Sequence, residues 1–476
     1  MVKFLKKYGG LALGPALFVI ILFGTPFDDL SVEANATLAT TAWVAIWWVS
    51  EVIPIPATSL LPIVLLPLSG AAPIGQTTAA YGDKMLFLFI GGFIIAIGME
   101  KWDLHKRIAL NIIKFMGTRP DRILLGFMVA TGALSMWISN TATTLMMVTI
   151  GIALIHQSRE KLGNAGDPFF KALLLGIAYS ASIGGVATLV GTPTNPIFAA
   201  LASELYADDI SFASWMIFGA PFSILMVLFC WWYLSRIAFK LDRLELNMGE
   251  DLIQAELDKL GKIKYEEKMV AWVFGLTAFV WISRTFFLNT YIPHLNDTSV
   301  AIAAAISLFI IPSRRAKNLG LISWEEAVKI PWGVILLFGG GLAIAASFRS
   351  SGLAAWIGNQ LTGLESLPVF LIILFVTLIV NFLTEVTSNV ATASIILPVL
   401  AAFSEAIGIH PYLLMVPATM AASCAFMLPM ATGPNAIVFA SNQLKIRDMA
   451  RAGFAFNLIS SLIISTIGYF ILTFLG

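Results

Sequence analysis

Charged residues are scarce in this chain of 476 residues, since Asp, Glu, Lys and Arg together make up 12% of it. Soluble domains carry about twice that fraction. Hydrophobic residues make up 58% of the chain, and the mean hydropathy is +0.86. This composition excludes a soluble globular protein and predicts an all-α polytopic membrane protein.

Several signatures of chemistry are also missing. The two cysteines, Cys230 and Cys424, lie in apolar surroundings and predict no disulfide framework. The four histidines share no metal-ligand spacing, and Ser139 has no His–Asp partners that would make it a nucleophile. A net charge of +1 without a basic run gives no reason to expect nucleic-acid binding. We therefore expect neither an enzyme nor a nucleic-acid-binding protein.

A short polar motif occurs twice inside apolar sequence. The first copy is Ser-Asn-Thr-Ala-Thr at 139–143, and the second is Ser-Asn-Val-Ala-Thr at 388–392. Each copy is followed tens of residues later by a Pro/Gly/Asn-containing break, at 191–196 and at 432–435. Two polar breaks at matching places in two halves of a membrane protein predict a binding site near the bilayer midplane.

The two halves form an internal repeat. The segment 88–96 aligns with 336–344 at an offset of 248 residues, and the polar motifs align at an offset of 249. The asparagines of the two breaks, Asn195 and Asn435, are 240 residues apart. A constant order with nearly constant offsets indicates a repeat rather than chance similarity.

The charges around the repeated segments predict that the two copies are inverted. The stretch 101–122 carries six Lys and Arg residues, whereas the matching stretch 349–371 carries only Arg349. By the positive-inside rule, the first copy faces the cytoplasm and the second faces the outside. This pattern is that of an inverted repeat with a two-fold pseudo-axis in the membrane plane.

The apolar runs predict about 11 spans and two re-entrant hairpins, because several runs are shorter than the roughly 20 residues that a span needs. We divide the chain into an N-terminal span and outer loop at 1–35, a first repeat at 36–239, a cytoplasmic amphipathic linker at 240–268 and a second repeat at 269–476. Three lysines before the first apolar run place the N-terminus in the cytoplasm. That run lacks a convincing cleavage site, so we expect it to be retained as a span.

The motif suits a cation and an anion at neighbouring positions. The C-terminal end of one half-helix offers carbonyl oxygens to a hard cation such as Na⁺, and the N-terminal end of the next offers N–H groups to a carboxylate. Ser, Asn and Thr add neutral oxygens and amide donors without formal charge. Two repeats therefore predict two cation sites flanking one anion site.

The paired motifs, the first break Gly-Thr-Pro-Thr-Asn-Pro at 191–196 and the longer segment Cys-Ala-Phe-Met-Leu-Pro-Met-Ala-Thr-Gly-Pro-Asn-Ala at 424–436, which contains the second break, resemble the divalent anion/sodium symporter family. Members of that family are sodium–dicarboxylate and sodium–citrate cotransporters, and the resemblance covers nearly the whole chain. It implies a homodimer in which a transport domain, carrying the hairpins and the breaks, slides like an elevator along a scaffold.

The resemblance also implies site residues. The first sodium site would be formed by Ser135, Ser139, Asn140 and the backbone at Gly191. The second would be formed by Thr384, Thr387, Asn389 and the backbone at Ala431. The substrate would contact both hairpins and the second break, at Asn140, Thr141, Asn389, Val390, Thr432 and Gly433.

Two positions depart from the commoner family pattern and leave the exact substrate open. Position 390 is Val where many members have Thr, and Gly433 stands where Pro is frequent. We expect Na⁺-coupled uptake of C4-dicarboxylates such as succinate, malate and fumarate across a bacterial cytoplasmic membrane. A Na⁺-independent exchanger, or a carrier of citrate or another oxyanion, remains the alternative within the same fold. A membrane enzyme or a channel is the alternative of a different class.

Two charged residues in apolar surroundings need an explanation. Glu385 lies four residues before Asn389, and it is either a proton-coupling carboxylate or a structural one hydrogen-bonded within the hairpin. We favour the structural role because the neighbouring oxygens already suffice for Na⁺. For Arg284 we favour snorkelling or pairing over contact with the substrate.

Overall fold

A computed structural model describes residues 2–24, 27, 29–117, 119–241, 250–315, 320–360 and 367–475. These residues form helices joined by short links. Before the centre of the chain the helices are α1 Val2–Gly24, α2 Val32–Ser50, α3 Ile55–Thr58, α4 Leu61–Leu68, α5 Ile74–Ala79, α6 Lys84–Lys101, α7 Leu104–Met116, α8 Pro120–Ser135, α9 Asn140–Leu162, α10 Asp167–Gly185, α11 Thr194–Tyr206 and α12 Phe212–Trp232.

The central helix is α13, Glu250–Leu260. After it come α14 Tyr265–Ser283, α15 Asn289–Tyr291, α16 Asp297–Ile310, α17 Trp324–Ala327, α18 Trp332–Ser350, α19 Leu353–Gln360, α20 Val369–Thr384, α21 Asn389–Ala406, α22 Tyr412–Ala422, α23 Gly433–Ala440 and α24 Ile446–Leu475. Single π-helical turns follow α12 and α14.

Within the described residues, eight helices are long and apolar enough to cross a membrane, and five apolar helices are shorter. Their burial differs widely. Helix α10 is buried along almost its whole length, whereas α14 exposes large apolar side chains such as Trp272, Leu276 and Phe279. An exposed apolar face of this kind suits contact with lipid. The helix set is consistent with a polytopic membrane protein, and the number of spans stays a prediction.

The repeat is visible in the helix boundaries. Helix α6 corresponds to α18, α8 to α20 and α9 to α21, because their first residues lie 248 or 249 positions apart. In each half, a four-residue link separates the first helix of the motif from the second, at 136–139 and 385–388. The offsets derived from the sequence therefore describe the same helices in both halves.

The equivalent helices α6 and α18 run in opposite directions. The end of α6 lies beside the segment before α18, since Lys101 Nζ is 2.7 Å from Glu326 Oε2. The start of α6 and the end of α18 both reach the end of α11 and the link that follows it. Lys84 Nζ lies 2.7 Å from Asp209 Oδ1 in that link, and Arg349 Nη1 donates to the carbonyl oxygen of Glu204 in the last turn of α11. This antiparallel arrangement supports the inverted repeat.

The predicted linker 240–268 is helical where the structure describes it. Residues 242–249 lie outside the described residues, α13 follows them, and α14 already begins at Tyr265. Helix α13 packs on α7, where Lys106 Nζ lies 2.9 Å from Glu256 Oε2. The linker thus contacts the basic segment that the positive-inside rule assigns to the cytoplasm.

Arg284 pairs inside the protein. Its Nε and Nη2 atoms lie 2.7 and 3.0 Å from the two carboxylate oxygens of Asp297, and Nη1 donates to Leu295 O. The same carboxylate accepts the backbone N–H of Phe212 at the start of α12. Arg284 therefore ties three helices together, as expected for a paired rather than a substrate-binding arginine.

Candidate functional site

A cavity of about 880 Å³ lies where the two halves meet. Both polar motifs and both breaks line it, although they are up to about 300 residues apart in the sequence. The predicted site residues on its wall are Ser139, Asn140, Thr141, Gly191, Thr387, Asn389, Val390, Ala431, Thr432 and Gly433. Of the predicted set, only Ser135 and Thr384 lie behind the wall, and both are fully buried.

In the first half, the motif joins α8 to α9. Ser139 is the N-cap of α9, and its Oγ accepts the backbone N–H of Ala142. The Oγ of Ser135, at the end of α8, donates to Asn140 Oδ1 over 2.5 Å. The Asn140 side chain also lies against Gly185, where a Cβ would be only 2.6 Å from Asn140 Oδ1. Hydroxyl and amide oxygens thus converge at the junction of three helix ends.

The second half repeats this arrangement between α20 and α21. Thr384 Oγ1 lies 2.6 Å from Asn389 Oδ1 and 2.9 Å from the carbonyl oxygen of Ala422. Thr387 Oγ1 donates to Leu383 O and is 2.6 Å from Thr392 Oγ1. The hydroxyl–asparagine pair is therefore the common element of both predicted cation sites.

Each break is held by one buried asparagine. Asn195 Nδ2 lies within hydrogen-bonding distance of the carbonyl oxygens of Gly185, Val186 and Thr188. Asn435 Nδ2 reaches those of Ala425 and Leu428, which correspond to Gly185 and Thr188 at the offset of 240. The amide gives unpaired carbonyls at the end of a helix the donors they would otherwise lack.

The two breaks also contact each other and the opposite motif. Thr194 Oγ1 lies 2.7 Å from the Oγ of Ser423, which caps the end of α22, so the first break contacts the start of the chain segment that leads to the second break. A Cβ on Gly433 would lie 2.4 Å from Thr141 Oγ1, so the second break approaches the first motif closely. The exposed Thr141 and the buried Val390 occupy equivalent positions, so the two walls of the cavity differ in hydrogen-bonding capacity.

Glu385 is buried and holds residues 426–428, which lead into the second break. Its Oε1 accepts the backbone N–H groups of Phe426 and Met427 and the Asn457 side chain, at 2.7, 2.8 and 2.7 Å. Its Oε2 accepts the N–H of Leu428 at 2.9 Å. These contacts support the structural role that we favoured for this carboxylate.

Sequence reasoning missed part of the cavity wall. Phe89 and Phe93 of α6, Ser50 and Glu51 at the end of α2, and Pro331 before α18 all line it. Both phenylalanines lie within the repeated segment 88–96. The repetition of this apolar segment was a signal that could have predicted their place on the cavity wall. Nothing in the sequence around Glu51 distinguishes a cavity residue from the helix C-cap that it also forms.

The chain is similar to known transporters over nearly its whole length. The model of the sodium:sulfate symporter transmembrane region matches residues 6–476. The sodium-dependent dicarboxylate transporter SdcS of Staphylococcus saprophyticus is 48% identical over 470 residues, which cover 97% of this chain and 91% of that protein. SdcS of Staphylococcus aureus is 48% identical over 471 residues, with the same coverage.

Two solved structures share the fold at low sequence identity. The YdaH transporter of Alcanivorax borkumensis aligns with a TM-score of 0.62 at 13% identity, covering 92% of this chain and 98% of that one. MtrF of Neisseria gonorrhoeae aligns with a TM-score of 0.57 at 12% identity, covering 96% of each chain. Both likenesses show the helical transporter fold alone.

Proposed function

The chain belongs to the sodium:sulfate symporter family of integral membrane transporters, and on this premise we propose that it couples Na⁺ entry to uptake of C4-dicarboxylates. The observation that carries the proposal is the convergence of both motifs and both breaks on one cavity. The names of relatives that share 48% of their residues with this chain support sodium coupling and a dicarboxylate substrate.

The chemistry of the cavity suits this pair of ligands. We assign the first sodium site to Ser135, Ser139, Asn140 and the Gly191 backbone, and the second to Thr384, Thr387, Asn389 and the Ala431 backbone. Neutral oxygen donors of this kind suit a hard monovalent cation. Helices α9 and α21 begin at Asn140 and Asn389 on the cavity wall, and helix N-termini favour carboxylates. Bound Na⁺ would add positive charge beside the anion, which gives coupling a physical basis.

The substrate contacts that we propose differ between the two walls. Asn140, Thr141 and Gly433 meet on one side, and Asn389 with Val390 form the other, with Thr432 beside them. Thr141 offers a hydroxyl, whereas Val390 does not. The two carboxylates of a bound dicarboxylate would therefore have unequal surroundings.

We propose that the structure faces the cytoplasm. The cavity wall includes Glu51 and Pro331, and Pro331 lies five residues after Glu326, which pairs with Lys101 beside the basic helix α7. On the opposite side, Lys84 and Arg349 bond to the segment that precedes α12. Those outer contacts would have to open when an elevator movement exposes the site to the outside.

The remaining parts of the proposal follow the family resemblance. We propose a homodimer in a bacterial cytoplasmic membrane with the N-terminus inside, two re-entrant hairpins formed by α8–α9 and α20–α21, and about 11 spans. The relatives from Staphylococcus support the bacterial membrane. The short links at 136–139 and 385–388 support the hairpins.

Uptake into proteoliposomes tests the function. Labelled succinate should accumulate when Na⁺ outside exceeds Na⁺ inside, and it should not accumulate when choline replaces Na⁺. Asn140→Ala and Asn389→Ala should each abolish uptake while the purified protein keeps its size-exclusion profile. Asn111→Ala is the matched control, because Asn111 is exposed on α7 and bonds to its own helix. Equal uptake in choline would contradict sodium coupling.

An exchanger of the same fold is the second candidate. Liposomes preloaded with unlabelled succinate distinguish it from a symporter. Exchange would make uptake depend on the internal substrate and not on Na⁺. The paired hydroxyl–asparagine contacts in both halves favour the symporter, because an exchanger without Na⁺ has no need for two cation sites.

A further inference from the structure

The cavity has a third wall that belongs to neither motif and to neither break. This third wall is formed by the end of α2 and by parts of α6 and α18, and it includes Ser50, Glu51, Phe89, Phe93, Pro331 and Val334. Most of these side chains are apolar. The hydroxyl of Ser50 donates to the carbonyl oxygen of Ile46 in its own helix. The named residues of the third wall therefore offer a carboxylate no free side-chain donor.

Glu51 gives the third wall a negative charge. Among the described residues that line the cavity, it is the one with an ionisable side chain. The side chain is exposed, and no hydrogen bond or ion pair engages its carboxylate within the described part of the chain. A carboxylate exposed to water carries its negative charge at neutral pH. An anion in the cavity therefore meets a fixed charge of its own sign on this side.

The backbone conformation at Glu51 is costly for a glutamate. The residue is the C-cap of α2 and has φ 48° and ψ 40°, in the left-handed region. Glycine and asparagine reach that region at lower cost than other residues. Strained residues of this kind cluster at functional sites. A glutamate in this conformation on the cavity wall thus indicates a role for the carboxylate itself.

The charge of Glu51 is close enough to act on an anion in the cavity. A sphere of 880 Å³ is about 12 Å across, so the carboxylate and a bound anion are on the order of 10 Å apart or less. At roughly 10 Å, one pair of like charges weakens binding about twofold in bulk water and more than tenfold at the effective dielectric constant of a protein surface. Each additional negative charge on the anion therefore weakens its binding measurably.

We propose that Glu51 and the third wall limit the substrate to anions with two carboxylates. The two hairpins provide donors for two carboxylates, and a third one would face Glu51 and the phenylalanine rings. There it would lose water without gaining a donor, and the charge of Glu51 would repel it. Succinate, malate and fumarate satisfy this restriction, whereas citrate does not. The inference rests on the proposed dicarboxylate uptake and makes Glu51 a residue that determines specificity.

Two inhibitors separate the effect of charge from that of size. Citrate and 3-hydroxy-3-methylglutarate have the same carbon chain and hydroxyl, but the second compound carries a methyl group in place of the central carboxylate. At neutral pH, citrate is mainly a trianion and the methyl analogue is a dianion. Each compound is titrated against the uptake of labelled succinate at saturating Na⁺. The readout is the half-inhibitory concentration of citrate divided by that of the methyl analogue.

Wild type should need more citrate than methyl analogue for the same inhibition. Glu51→Gln should lower the ratio about fivefold, between the limits for bulk water and for a protein surface. Glu51→Asp keeps the charge and should keep the ratio within about twofold of wild type. Asp103→Asn is the matched control, because it removes an exposed carboxylate in the same left-handed region at the start of α7, away from the cavity. It should leave the ratio unchanged.

An unchanged ratio in Glu51→Gln would overturn the inference. Equal inhibition of wild type by citrate and the methyl analogue would also overturn it, because the third carboxylate would then meet no barrier. Failure of both compounds to inhibit wild type would show exclusion by size and would count against it as well. If Glu51→Gln does not accumulate as folded protein, Glu51→Asn replaces it with the same expectation, since asparagine suits the left-handed region.

Melting of the purified protein separates this inference from the proposed function. A ligand that binds the folded state raises the melting temperature, so succinate, citrate and the methyl analogue are each titrated in Na⁺. If succinate stabilises wild type but does not accumulate under a Na⁺ gradient, the proposed function fails. The concentrations of citrate and methyl analogue that give equal stabilisation in wild type and Glu51→Gln then decide the inference. If neither succinate nor the methyl analogue stabilises wild type, the inference fails.

Discussion

Gly433 provides the sharpest test of the substrate contacts. The glycine lies at the start of α23, on the cavity wall, and faces the hydroxyl of Thr141. A Cβ on Gly433 would lie 2.4 Å from Thr141 Oγ1. Carbon and oxygen atoms in contact need about 3.5 Å. Gly433→Ala should therefore displace the threonine hydroxyl by about 1 Å or force it into another rotamer.

The size of the effect follows from two terms. A change to a less favourable rotamer costs on the order of 1 kcal/mol. Loss of a hydrogen bond from Thr141 to a carboxylate costs on the order of 1.5 kcal/mol, the lower end for bonds to charged groups. The sum is about 2.5 kcal/mol, which corresponds to a rise of roughly 60-fold in the KM for succinate if KM reports binding.

The assay is initial uptake of labelled succinate at saturating Na⁺. Gly75→Ala is the control, because a Cβ there meets nothing within 4 Å. It should leave KM unchanged, and both variants should reach the membrane in wild-type amounts. A KM within about threefold of wild type in Gly433→Ala would show that Thr141 does not hold the substrate. An equal loss at all succinate concentrations would instead indicate a blocked movement.

Two further predictions concern the scaffold and its orientation. Arg284→Met should lower the melting temperature strongly, because it leaves the buried Asp297 without its partner, which costs roughly 3–5 kcal/mol. The control is Lys84→Met, which removes an exposed ion pair worth at most about 1 kcal/mol. Equal effects of the two variants on the melting temperature would contradict the burial argument. Single cysteines at His105 and Ala355, in equivalent segments of the two halves, should react with an impermeant thiol reagent from opposite sides of the membrane, and labelling from one side only would refute the inverted repeat.

The sequence predicted the repeat because its evidence is local. Helix ends, motif spacing and the balance of basic residues are properties of short segments, so offsets of 248 and 249 were enough to pair α6 with α18 and α8 with α20. The convergence of ten predicted site residues on one cavity follows from that pairing. The inversion was accessible for the same reason, since charge near helix ends reports sidedness.

Contacts between distant segments could not be predicted in the same way. Each carbonyl that Asn195 and Asn435 bind lies seven to ten residues earlier in the chain, and the amides look like ordinary turn residues in the sequence. The residues that donate hydrogen bonds to Glu385 lie 41 to 72 positions away in the sequence. The sequence alone therefore did not decide whether Glu385 carries protons or has a structural role. Only packing shows that the carboxylate is fully occupied by N–H groups.

The differences between the two halves carry more functional information than their likeness. Both halves keep the hydroxyl–asparagine pair, so symmetry accounts for two proposed cation sites but not for the choice of substrate. The halves differ at the positions next to that pair. In the alignment of the two repeats, Glu385 corresponds to Met136 and Val390 corresponds to Thr141. The extra carboxyl group and the extra hydroxyl thus fall on opposite halves. Choice among dicarboxylates should therefore depend on the wall formed by Thr141 and Gly433, because that wall offers the substrate a hydroxyl that the opposite wall lacks.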